Sequence, residues 1–85
     1  MSYSARVNVM LKPGIADPQG QTIERALPAL GYSGVEDVRV GKLIELNVAA
    51  SNEAEARTRV EEMCERLLAN PVIESYTVTI DGDAV

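Results

Sequence analysis

An α+β domain, with four antiparallel strands and two helices packed on one face, is what this chain of 85 residues predicts. Three observations carry that expectation. Apolar residues recur at every second position near both ends and in the middle of the chain. They recur at every third or fourth position in two stretches between. Proline or glycine punctuates most changes of period.

Residues 3–12 place Tyr3, Ala5, Val7, Val9 and Leu11 on one side and Ser4, Arg6, Asn8, Met10 and Lys12 on the other, a strand with one buried face. Pro13-Gly14 ends it. Asp17-Pro18-Gln19-Gly20 reads as a helix start: Asp17 accepts from unpaired amides, and Pro18 suits the first helical position because its missing N–H had no partner there. Gly20 leaves bare backbone at this corner and reads as a place where a partner or ligand approaches closely. Ile23, Ala26, Leu27 and Leu30 share the helix's apolar face, and Gly31 stops it. Pro28 predicts a kink or a distorted last turn, because an interior proline removes a hydrogen bond.

Val35–Val40 and Lys42–Ala49 are expected as two strands joined by a tight hairpin at Gly41, with Ile44, Leu46 and Val48 inward. Asn52-Glu53-Ala54-Glu55 is a capping-box pattern opening a helix over residues 53–69. That helix is expected to bury Ala56, Val60, Met63 and Leu67, flanked by Cys64 and Leu68. Glu53–Arg57, Glu55–Arg59 and Glu62–Arg66 stand in the order that favours ion pairing along it. Asn70-Pro71 ends the helix, Val72–Ile80 alternates as the last strand, and residues 81–85 read as a loose tail. Strand, helix, strand, strand, helix, strand with right-handed crossovers is the ferredoxin-like βαββαβ arrangement, in one domain over residues 1–85. Its open face carries Met10, Leu43 and Ile73, and the last strand has the profile of an edge that takes a partner.

With 46% hydrophobic and 25% charged residues the composition is that of an ordinary globular domain. A net charge of −5 and three tyrosines as the only aromatics argue against nucleic acid, and no apolar run approaches a bilayer's thickness. A single cysteine forms no internal disulfide, so the cytoplasm is the expected compartment.

The chain has no histidine, which removes the commonest general base and metal ligand. Cys64 lacks an activating partner and sits toward a helix C-terminus, so it reads as a small core residue rather than a nucleophile. The glutamates of the second helix are interleaved with arginines and read as a solvated face. Asp81-Gly82-Asp83 lacks the remaining ligands of a calcium loop, and Gly41-Lys42 lacks the flanking residues of a phosphate loop. No catalytic residue and no metal site are expected.

Taken together, Leu11-Lys12-Pro13-Gly14, Asp17-Pro18-Gln19-Gly20, Leu30-Gly31-Tyr32, Val38-Arg39-Val40-Gly41-Lys42 with Glu45-Leu46, Met63-Cys64, and Leu67 through Tyr76 resemble the PurS family over roughly residues 5–80. PurS is the small subunit of phosphoribosylformylglycinamidine (FGAM) synthase. The resemblance implies a non-catalytic partner of a glutaminase, PurQ, and an ATP-dependent synthetase, PurL. It implies a dimer or higher homo-oligomer that bridges the two and helps ammonia pass between them in purine biosynthesis. ATP and Mg are then used by the complex, and this chain alone binds neither. On that reading Asp17, Pro18, Gln19 and Gly20, with Arg39, Gly41 and Lys42, form the surface that meets the partners. The alternative is a stand-alone small-molecule-binding regulatory module on the same fold. An acylphosphatase-type enzyme would need an arginine in the loop after the first strand, where Pro13-Gly14-Ile15-Ala16 has none. An RNA-binding sheet would need exposed aromatics on its central strands.

Overall fold

The computed structural model describes residues 1–83. Strand β1 (Ser2–Leu11) is the centre of a three-stranded antiparallel sheet, with β2 (Gly41–Ala49) on one side and β3 (Glu74–Asp83) on the other. The period-two pattern does its expected work: Tyr3, Ala5, Val7 and Val9 are buried beneath a single helix, α2 (Glu53–Met63). They form the core with Val48, Ile80, Ala56, Val60 and Cys64. The opposite face is mostly polar, since the register aligns Arg6 with Glu45 and Thr79, and Asn8 with Leu43 and Thr77. The last strand begins at Glu74 rather than Val72 because Asn70–Ile73 forms a turn closed by Ile73 N–H and Glu74 N–H to the Asn70 carbonyl. It runs on past Ile80 to Asp83, with a register shift between Tyr3 and Ser4. Residues 84–85 of the expected tail lie outside the described residues.

The expected fourth strand is absent among the described residues: Val35–Val40 is extended but pairs with no strand. Its amides are taken by side chains instead. The Val38 N–H donates to Glu24 Oε1 at 3.0 Å and the Val40 N–H to Asp17 Oδ2 at 2.8 Å. With those donors satisfied, no ladder is needed to bring the segment into the fold. The hairpin goes with it. Gly41 is paired opposite Met10 as the first residue of β2 and has no positive φ.

Helix α1 (Pro18–Ala26) starts and stops as expected. Asp17 caps the Gly20 N–H at 2.9 Å, and Pro28 confines the last turn to a 3-10 segment, Pro28–Leu30. Gly31, at φ 95°, closes it, with the Tyr32 N–H donating to the Leu27 carbonyl and the Gly31 N–H to that of Pro28. Contrary to expectation, α1 is not laid on the sheet beside α2. Gly20 is its only buried residue, and Ile23, Leu30, Tyr32 and Val35 are exposed. The molecule is accordingly long, 51 × 28 × 15 Å. Its radius of gyration of 16.5 Å exceeds the roughly 12 Å of a compact chain this size.

Two further corrections concern α2. Its start is as read: Asn52 Oδ1 accepts from the Glu55 N–H at 2.8 Å, while Glu55 reaches back to the Ser51 N–H. Its buried row, however, runs Ala56, Val60, Cys64, Ala69, and Leu67 is 83% exposed. The cause is a π turn, Cys64–Leu68, in which the Ala69 N–H donates five residues back to the Cys64 carbonyl. The additional residue in that turn rotates Leu67 out of the stripe and brings Ala69 in.

The anticipated glutamate–arginine pairs are also not made. The ion pairs among the described residues are Arg6–Glu45 and Lys42–Glu74, each at 3.9 Å. Arg57 instead donates to the Val78 carbonyl at 2.9 Å and Arg59 to the Ala49 carbonyl at 2.7 Å. The strand registers point both carbonyls away from β1, so the arginines reach over opposite sides of α2 to cap one bare acceptor on each sheet edge. An exposed helix pair contributes only about 0.3–0.5 kcal/mol, less than a charge-assisted bond to an orphan carbonyl.

Candidate functional site

The end of the sheet where β1 stops and β2 starts gathers most of the residues singled out in the sequence. A shallow hollow of about 270 Å³ is lined there by Asp17, Pro18, Gln19, Gly41 and Lys42, with Leu11 and Glu74 among its other walls. Pro18, Gln19 and Lys42 are exposed in it. Lys42 balances Glu74 across the hollow, so its rim offers one cation, one anion and an amide. Arg39 turns away, its guanidinium donating to the Leu11 carbonyl.

Asp17 and Gly20 have a different part from the one expected. One carboxylate oxygen of Asp17 holds the helix start and the other holds Val40, joining α1 to the approach to β2. Gly20 is buried because a backbone of its own chain comes close: a Cβ there would lie 2.5 Å from the Val38 carbonyl oxygen. Gly41 is the same kind of residue, its missing Cβ leaving room for the Val9 carbonyl 2.6 Å away and the Met10 thioether. Asp17, Gly20 and Gly41 therefore shape the corner, while Pro18, Gln19 and Lys42 present it.

The residue the sequence reading missed is Glu24. It lies two turns after Asp17, and that seven-residue spacing places two carboxylates on one side of α1, a signal that was available.

The bonds from Gly20 and then Val40, with the Arg39 charge adding to them, hold the Asp17 carboxyl below its ordinary value of 3.8. A carboxyl whose folded pKa is depressed adds stability above its unfolded pKa, and that stability is lost as pH falls through the folded value. Thermal unfolding from about pH 7 down to about pH 3 should therefore show a flatter acid limb for Asp17→Asn than for the wild type, with a lower melting temperature at neutral pH. Parallel curves would dissociate Asp17 from the corner's stability.

Cys64 is fully buried, and burial, with Glu61 and Glu65 nearby, pushes its thiol pKa up, as befits a core residue. A second, open hollow is lined by Thr58, Glu61, Glu62, Glu65, Arg66 and Tyr76. A hydrogen bond between Tyr76 and Glu65, with desolvation next, pushes the phenol up to about 12, so it stays protonated throughout the neutral range. Among the described residues no cluster of His, Cys, Asp or Glu is placed to hold a metal ion, and no helix is long and apolar enough to cross a membrane.

Residues 4–82 match the family model of PurS, described as phosphoribosylformylglycinamidine (FGAM) synthase. The chain is 47% identical over 79 residues to phosphoribosylformylglycinamidine synthase subunit PurS of Synechocystis, covering 93% of this chain and 79% of that one. It is 43% identical to the subunit of the same name from Methanocaldococcus jannaschii, covering 93% and 95%. In three dimensions it resembles the purS subunit of Thermotoga maritima, with a TM-score of 0.87 at 37% identity over 95% of this chain and 93% of that one. A chain in the structure of PurLQS from the same organism matches with the same TM-score and identity, over 95% and 99%.

Proposed function

The chain belongs to the PurS family, and on that premise we propose that it serves as the PurS subunit of FGAM synthase in purine biosynthesis, assembling with PurL and PurQ. The observation that carries this reading is the joint match of sequence and shape across residues 4–82, which extends to a chain of a PurLQS structure. The work it does there is that of a shaped surface. Ammonia in open water near neutral pH is mostly protonated and not nucleophilic, so an interface that excludes water between glutaminase and synthetase preserves its reactivity. A small domain with a stiff, self-bonded corner suits that task. The synthetase reaction uses ATP and Mg held by the partners, in the cytoplasm, and the subunit works as a homo-oligomer.

The contact patch is the sheet-end corner: Pro18, Gln19 and Lys42 touch the partners, and Asp17, Gly20, Arg39 and Gly41 hold them in place. Reconstitution tests both levels. Leaving this subunit out of a mixture of PurL and PurQ should abolish glutamine-dependent FGAM formation. Lys42→Glu should lower it by on the order of tenfold, the effect of roughly 1–2 kcal/mol at one interface charge. Full activity of the Lys42→Glu complex places the patch elsewhere, and full activity without the subunit ends the reading.

A further inference from the structure

We infer that the projecting arm of each chain, α1 with its 3-10 turn and the residues after it, seats in a trough of a second copy, the exchange being reciprocal about a two-fold axis. The inference rests on the homo-oligomeric part of the function proposed above and supplies its contact.

The arm carries Ile23, Leu30, Tyr32 and Val35 exposed, 43%, 70%, 60% and 42% respectively, on a segment that covers nothing in its own chain. The trough is on the same molecule. On the side of α2 from which Arg59 reaches β2, a hollow of about 570 Å³ is lined by Met63, Leu67 and Leu68, with Arg59, Arg66 and Glu62 around it. Ile44 and Leu46 of β2, half-buried, belong to the same layer. One apolar helix therefore lacks a floor, and one floor has room for a second helix beside α2.

The arm is held off its own trough. Asp17 and Glu24 bind it to Val40 and Val38, and together with Pro18 this fixes α1 at the end of the sheet rather than over it. A second copy meets both needs at once, because a two-fold axis presents each arm to the other trough. Charge agrees with shape: residues 18–37 carry Glu24, Glu36 and Asp37 against Arg25, and the hollow carries Arg59 and Arg66 against Glu62. The other surfaces fit a second copy less well. The outer sheet face is mostly polar, and Arg57 interrupts the free edge of β3 at Val78.

Light scattering at micromolar concentration tests this. The wild type should have the mass of two 9.2 kDa chains or a multiple of that pair. The arm variant Ile23→Asp/Leu30→Asp and the trough variant Leu67→Asp should each fall toward the mass of one chain, with circular dichroism unchanged because these side chains are exposed. Mixing the two variants should restore assembly, since each mixed pair contains one intact arm facing one intact trough. A monomeric wild type, variants that keep the wild-type mass, or a mixture that stays monomeric each overturn the exchange. None of these outcomes bears on the FGAM synthase assignment, which is read separately by reconstitution with PurL and PurQ.

Discussion

Gly20→Ala lowers the urea midpoint of unfolding by the equivalent of about 3 kcal/mol, and Gly20→Trp leaves no cooperative transition at all. The magnitude follows from what a side chain would meet. Its Cβ falls 2.5 Å from the Val38 carbonyl and 2.6 Å from an Asp17 carboxylate oxygen, and the first of these is backbone that moves only if the corner opens. Overpacking in such places costs about 1–3 kcal/mol per added carbon group, against a total of roughly 4–13 kcal/mol for a domain of this length. Opening the corner also releases both Asp17 bonds, which places alanine at the upper end of that range. The sequence alone suggested the reverse, a bare glycine open to a partner, so that a tryptophan would spoil assembly and spare the fold. An unshifted midpoint for Gly20→Ala would restore that view.

The second large effect contrasts two positions on α2. Val60→Asp abolishes the folded state, because the side chain is fully buried and a carboxylate there has no cation or donor in reach. Burying an unpaired charge costs several kcal/mol, a large part of what this domain has. Leu67→Asp, seven residues on and in the same predicted stripe, keeps a native circular dichroism spectrum, because Leu67 is 83% exposed. A straight α-helix would make both substitutions disruptive, so an unfolded Leu67→Asp would argue against the π turn.

These contrasts show which parts of the structure sequence patterns reach. The strand β1, the caps at Asp17 and Asn52, the break at Pro28 and the stop at Gly31 are local matters of period and capping, and they stand as read. What failed was each inference about what a group would bind across space. Alternation in Val35–Val40 correctly marked an extended segment, yet hydropathy does not say whether an amide meets a neighbouring strand or a carboxylate. Favourable i,i+4 spacing did not keep Arg57 and Arg59 on their own helix, because unpaired carbonyls at the sheet edges compete for them. The site was legible as a place. The sheet-end corner gathers Asp17–Gly20 with Gly41 and Lys42 as expected, but the roles within it divide by burial, which one-dimensional patterns do not measure. The membership of the PurS family was legible throughout, since it depends on the order of short motifs rather than on any one contact.

The π turn also sets a rule for how this chain tolerates changes of length. Deleting a residue from Cys64–Leu68 would return the segment to ordinary helical winding and swing everything after it by about 100°. Ala69 would leave the core, and the turn that aims β3 alongside β1 would start from the wrong bearing. The stretch between Gly31 and Asp37 has no such gearing to the sheet, so it can lengthen or shorten while the rest keeps step. Indels in natural variants of this domain should therefore collect before β2 and stay away from the end of α2.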